Sequence, residues 1–177
     1  MVYILFGYDP LILYFAVGML VVLTIAIFVR YLSAHRDTID PKGLALFLVW
    51  FGVVLYLTLF SRLGTKQATQ YLITPFEGLM QALAQRSLQP VEHDFLNLLL
   101  FVPFGYFIPK INPRCLSRFG FALLGGIVTS TIIEGTQLVT HLGMCDIDDI
   151  IANSLGAIVG YGIYCLMRQI QRNWKLE

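Results

Sequence analysis

Residues Phe119–Val139 read FGFALLGGIVTSTIIEGTQLV, an apolar run broken by a single charged residue, Glu134. A helix that crosses the hydrocarbon core needs about 20 mainly apolar residues, and this stretch supplies them. A lone carboxylate inside such a span must pair, take up a proton or meet water. The same run therefore points to a membrane fold and to a place where polar chemistry is needed inside it.

Working outward, four further runs qualify. Leu11–Val29 and Leu44–Phe60 carry no charge. Phe95–Ile108, with Pro90 available for the first helical position, contains Pro103 and Gly105. Proline removes a backbone hydrogen bond, so a kink or an early end is expected near Pro103. Asp149–Met167 contains Asn153. The expectation is an all-α membrane protein with about five transmembrane helices, forming one membrane domain over residues 1–177 without repeat or linker. Composition agrees: 57% of the 177 residues are hydrophobic and 13% charged, against roughly 25% charged in soluble domains. Mean hydropathy is +0.73. Met1–Pro10 has no Lys or Arg, so it lacks the positive start of a secretory signal, and the first run reads as a retained helix. A net charge of +1 gives no reason to expect nucleic acid. Cys115, Cys145 and Cys165 are too scattered for a disulfide framework or a metal site.

Lys and Arg set orientation. Arg30, Arg36, Lys42, Lys110, Arg114, Arg118, Arg168, Arg172 and Lys175 fall on one side; Arg62, Lys66 and Arg86 fall on the other. The richer side is expected to be cytoplasmic, with the N-terminus outside and the C-terminus inside. The long outer loop, residues 61–89, carries Thr74-Pro75-Phe76-Glu77, which reads as a capping box with Thr74 as N-cap and Glu77 reaching back. Phe76, Leu79, Met80 and Leu83 follow at helical spacing, predicting a short amphipathic helix that lies in the outer interface or packs on the bundle.

At 1.5 Å per residue, Asn97, Glu134 and Asn153 lie roughly 9, 8 and 6 Å below the outer edge of their helices. Three spans thus place polar groups at one level. His93 shares a face with Asn97, Gln137 with Glu134, and Asp149 with Asn153. Gly156 and Gly160 continue the Asn153 face and are spaced to let helices approach closely. Asp146 and Asp149 also have the spacing of a helix cap. The candidate ligand-binding set is His93, Asn97, Glu134, Gln137, Asp146, Asp148, Asp149 and Asn153.

Asn97–Gly105 (NLLLFVPFG), Ile133-Glu134 with Gln137, and Asp146–Tyr161 (DIDDIIANSLGAIVGY) resemble, in order, the signature of the VanZ-like family. The likeness covers about residues 71–164, with Thr74-Pro75-Phe76 resembling a weaker Pro-Phe element. It implies a small bacterial cell-membrane protein. The family's namesake is linked to low-level resistance to teicoplanin, a glycopeptide antibiotic with a fatty-acyl tail. Many members have an Arg shortly before the Asp-x-Asp-Asp block, where this chain has His141–Cys145.

Two functions compete. One is binding or modulation of amphiphiles at the outer leaflet, either acyl-tailed glycopeptides or lipid-linked wall precursors, with membrane lipid as the surrounding partner and no cofactor. The other is an enzyme acting on a lipid head group, with Glu134 as general base and Asp146, Asp148 and Asp149 holding a divalent cation. The balance leans away from an enzyme: Ser130 lies a turn before Glu134, but His141 is two turns beyond it, so no nucleophile stands beside a base. A transporter is disfavoured by the lack of a repeat and of a polar path through the inner leaflet.

Overall fold

The computed structural model describes residues 19, 23–25, 27–62, 71–72, 74–86, 88–114, 116–143 and 145–174. The expected first span, residues 11–29, lies largely outside them. A shorter apolar helix, Leu23–Ala34 (α1), overlaps its end. The next helix, Pro41–Thr58 (α2), starts for reasons legible in two side chains. The Asp40 carboxylate accepts from the Lys42 N–H at 3.1 Å, and Pro41 takes the first helical position, where no N–H is needed. Then come Glu77–Gln85 (α3), Gln89–Ile111 (α4), Phe119–Thr140 (α5) and Ile147–Asn173 (α6). Among the described residues, four helices are long and apolar enough to cross a membrane: α2, the Val91–Ile111 part of α4, α5 and α6. Their outer faces carry exposed Leu48, Val49, Val53, Leu124, Leu155 and Val159. Such a surface suits lipid, and in lipid each helix meets its own backbone hydrogen bonds.

Packing follows two kinds of contact. Along α4 and α6, which run parallel, backbone touches backbone. A Cβ at Gly156 would stand 2.1 Å from Leu98 O, one at Gly160 would stand 1.9 Å from Val102 O, and one at Gly105 would stand 1.8 Å from Ala157 O. Between α4 and the antiparallel α2, aromatic rings fill the space. Trp50 meets Phe101 edge-on at 5.7 Å between centroids and Phe104 at 5.5 Å. Its Nε1 donates to Leu100 O at 2.9 Å.

Two expectations are corrected and one feature is added. Of the kink or early end expected near Pro103, the early end does not occur: α4 continues through Pro103 and Pro109 to Ile111. Pro103 leaves the Leu99 carbonyl without its helical partner, but α4 is gripped on both sides, by the α2 aromatics and the α6 glycines, and the Trp50 indole supplies a donor to the next carbonyl. Thr74 is not the N-cap of the short helix. The short helix begins at Glu77, and Phe76 precedes it with a left-handed φ of 62°; its first N–H groups are met by an acid from α6, described below. Leu79, Met80 and Leu83 are exposed while Ala82 is buried, so the apolar face of α3 turns away from the bundle, as a helix lying against lipid requires. Finally, a parallel pairing of Tyr71–Leu72 (β1) with Cys145–Asp146 (β2) ties the long loop to the α5–α6 connection.

The glycine contacts give a paired prediction. Gly160→Ala should cost about 1–3 kcal/mol through overpacking. Gly162→Ala, with open space around its Cβ position, should leave stability unchanged or raise it by up to about 1 kcal/mol. Thermal melting in detergent checks both; equal melting points for the two variants would contradict the packing described.

Candidate functional site

At the end of the bundle where α4 and α6 begin, the glycine contacts set the first turns of these helices side by side. The α5 helix, coming from the opposite end, finishes against them. Asn97 donates from Nδ2 to Asp149 Oδ1 across the α4–α6 contact. His93 Nδ1 lies 3.3 Å from the same oxygen and 3.5 Å from Asn97 Nδ2. One turn deeper, Asn153 Nδ2 donates to Ser130 Oγ at 2.8 Å, and Asn153 Oδ1 has no hydrogen-bond partner among the described residues. Glu134 is only 3% exposed. Its Oε2 accepts from the Asp146 N–H at 3.1 Å, so α5 is pinned to the start of α6. Gln137 Nε2 donates to Thr58 O at 3.1 Å, closing the last turn of α2 onto α5.

The three neighbouring aspartates diverge. Asp146 caps its own helix, its Oδ1 accepting from the Asp148 N–H at 2.8 Å. Asp148 reaches out to α3 and accepts from the Phe76 N–H at 2.6 Å and the Gly78 N–H at 3.3 Å. A carboxylate at the positive end of a helix is well placed, for hydrogen bonding and for the dipole alike. Asp149 faces α4 rather than capping α6. The set therefore falls into a cluster of His93, Asn97 and Asp149; a second of Glu134 with Asp146; Asn153, paired with Ser130; Asp148, turned to α3; and Gln137, which serves the α2 junction. The cation trio of the enzyme alternative, Asp146, Asp148 and Asp149, has its carboxylates committed to three different partners. A different trio, His93, Asp94 and Asp149, presents ligand atoms that all lie within 4.8 Å of one another.

Asp94 and Arg62 are the residues that sequence reasoning missed. Arg62 follows α2 in a 3-10 turn, Phe60–Arg62. One guanidinium nitrogen stands 2.6 Å from the Cβ position of Gly143, and its positive charge acts on both His93 and Glu134. The absence of a side chain at Gly143 makes room for it. A signal existed: Arg62 is the first cation past a span, on the side poorer in Lys and Arg. His141 ends α5 with a left-handed φ of 56°, the Leu142 N–H returning to Gln137 O at 3.0 Å. Burial first, then the nearby Glu134, Asp146 and Asp149, push the Cys145 thiol up to about 11, which keeps it unreactive at neutral pH.

The profile of the VanZ/LLP1 family matches residues 44–168. This chain belongs to the VanZ/LLP1 family. The match is wider than the 71–164 region marked by the motifs; it takes in most of α2 as well as all eight candidate residues. The VanZ-family chain is also similar to Protein VanZ of Enterococcus faecium, at 31% identity over 84 residues, 46% of this chain and 49% of that protein. It thus spans about half the length of the curated relative it matches. No solved structure matches. Apolar helices and this kinship together make it a bacterial membrane protein.

Two predictions follow from the acids. Asp148→Ala should cost about 0.5–2 kcal/mol by removing the α3 cap and should speed protease cleavage within 74–86; unchanged cleavage would contradict the cap. Burial, with Asp149, Asp148 and Asp94 adding to it, pushes the Asp146 carboxyl up to about 6, despite the hydrogen bond it accepts from the Asp148 N–H. A raised folded value favours the protonated group, so its contribution should lower stability as pH rises from the ordinary 3.8 to about 6. Asp146→Asn keeps a capping oxygen without that charge. Its melting point relative to the parent should therefore rise across that window and level off above it; a pH-independent difference would contradict the assignment.

Proposed function

We propose that this VanZ-family protein binds amphiphiles at the polar end of the bundle, with an acyl tail in lipid-facing apolar surface and the head group among the acids and amides. One observation carries the reading. A groove of about 250 Å³ between α3, α4 and α6 is lined by apolar side chains, including Leu79, Phe95, Leu98, Ile151 and Leu155, and has Asp94 and Asp148 in its wall. Leu79, Phe95 and Leu155 are exposed, so a tail can enter sideways from the lipid. The His93–Asn97–Asp149 cluster adjoins Asp94 and adds donors and acceptors for a head group rich in hydroxyls or amines. Kinship with Protein VanZ supports a role in resistance to acyl-tailed glycopeptides such as teicoplanin; lipid-linked wall precursors have the same division into head and tail. The Lys/Arg distribution supports placing this end outside, where such ligands arrive.

The binding test compares teicoplanin with its deacylated form on purified protein. Phe95→Ala combined with Leu155→Ala should weaken the acylated ligand several-fold through lost close packing around the tail, since a tail moving between lipid and groove is not transferred from water. It should not change affinity for the deacylated form. Equal affinity of the parent protein for both forms would sink the reading. Sidedness is checked in a variant whose native cysteines are replaced. Cysteine at Arg86 or His141 should react with impermeant reagent in intact cells, and cysteine at Pro113 should not; the reverse pattern would invert the orientation.

The His93–Asp94–Asp149 trio favours a second reading, a cation-assisted enzyme acting on a lipid head group with Glu134 as general base. Bound metal would stabilise the fold by mass action. A melting point raised by calcium or zinc after chelator treatment, and not raised in His93→Ala, would favour the enzyme. No response to either ion leaves amphiphile binding as the account.

A further inference from the structure

At the opposite end of the bundle, α2, α4 and α6 enclose a groove of about 460 Å³, within the roughly 300–1,000 Å³ range of small-ligand sites. We propose that this groove holds the head group of an anionic phospholipid. Each of the three helices contributes one cation to its lining: Lys42 from the start of α2, Lys110 from the last turn of α4, and Arg168 from the later part of α6. Their convergence is enforced by backbone contacts, not by attraction between them. A Cβ at Gly43 would stand 2.5 Å from Lys110 O, so the start of α2 lies directly on the end of α4. The Gly160–Val102 contact sets the register that carries Arg168 to the same end.

Three cations gathered this way repel one another, and among the described residues the one acid in the lining is Asp40. That carboxylate is the N-cap of α2, accepting from the Lys42 N–H. The remaining interactions hold the cations in place without neutralising them. Lys110 Nζ sits 4.3 Å over the Tyr106 ring, and Arg168 Nη1 donates to Ser117 Oγ at 3.2 Å. The site thus keeps an excess of positive charge that a phosphodiester would offset. The rest of the lining includes Leu46 and Met167, both exposed on the apolar surface, where acyl chains attached to that phosphate would lie. Phosphate and acyl surface side by side distinguish a phospholipid from a free phosphate ion. Basic pockets between membrane helices bind anionic head groups by this combination of charges. The proposal is independent of the amphiphile site, which lies at the other end of the same helices.

The test titrates the purified full chain in detergent with dioleoyl phosphatidylglycerol, dioleoyl phosphatidylcholine or inorganic phosphate, reading bound lipid by native mass spectrometry and stability by melting point. Phosphatidylglycerol should be retained and should raise the melting point, and phosphatidylcholine should do neither. Lys110→Ala and Arg168→Ala should each weaken retention about fivefold, the equivalent of about 1 kcal/mol per cation. Lys110→Arg should restore it, which separates lost charge from lost folding. Arg36→Ala and Arg114→Ala remove cations outside the groove and should leave retention unchanged. Equal retention of the two lipids, an equal loss in the two control variants, or full competition by inorganic phosphate would each overturn the assignment.

Discussion

Along the contact of α4 with α6 there is no room for a methyl group. Three glycines, Gly105, Gly156 and Gly160, each face a carbonyl of the opposite helix at a distance that a Cβ would violate. In lipid, apolar side chains gain little by leaving their surroundings for one another, so association depends on close packing and on polar groups that meet across it. The glycines supply the packing. They also fix the register, and the register sets Asp149 against Asn97 at one end and Arg168 with Lys110 at the other.

The polar groups become affordable once that register is set. Asp149 takes the Asn97 amide, Glu134 takes the Asp146 N–H, and Asn153 takes Ser130. The first of these bonds joins α4 to α6 and the other two join α5 to α6, so the end of the bundle is held by hydrogen bonds as well as by apolar contact. Arg62 adds one positive charge beside several acids. Among the described residues Asn153 Oδ1 is a buried acceptor that no donor meets. A ligand bringing hydroxyl or amine donors suits that acceptor and the surrounding acids better than one bringing a phosphate. The basic groove at the other end has the opposite preference, so the two ends of one bundle are matched to different head groups.

Much of this was legible in the residues. Run length and the scarcity of charge mark the spans; a 1.5 Å rise per residue brings Asn97, Glu134 and Asn153 to the same end of the bundle but not to one level, since Asn153 lies a turn deeper than the Asn97–Asp149 contact. The spacing of Gly156 and Gly160 marks the close face of α6. The features that were not legible are all tertiary. The Thr74 cap is displaced: Asp148, some seventy positions away in sequence, delivers a carboxylate to the Phe76 and Gly78 N–H groups, the first of which a Thr74 cap would have used. The divergence of Asp146, Asp148 and Asp149 depends on where α3 and α4 lie, which adjacency in sequence cannot tell. Pro103 reads locally as a break, yet α4 passes through it because neighbouring helices grip both sides. Arg62 sits in the site because Gly143, on another segment, leaves space for its guanidinium.

The central claim is that an acyl tail enters the groove between α3, α4 and α6 while its head group meets the polar cluster. Photocrosslinking with teicoplanin carrying a diazirine at the end of its acyl chain tests this most directly. The account predicts adducts on Phe95, Leu98, Ile151 or Leu155, competed away by unmodified teicoplanin. Adducts confined to Leu46 and Met167 at the basic end, or spread evenly over the lipid-facing surface without competition, would contradict it.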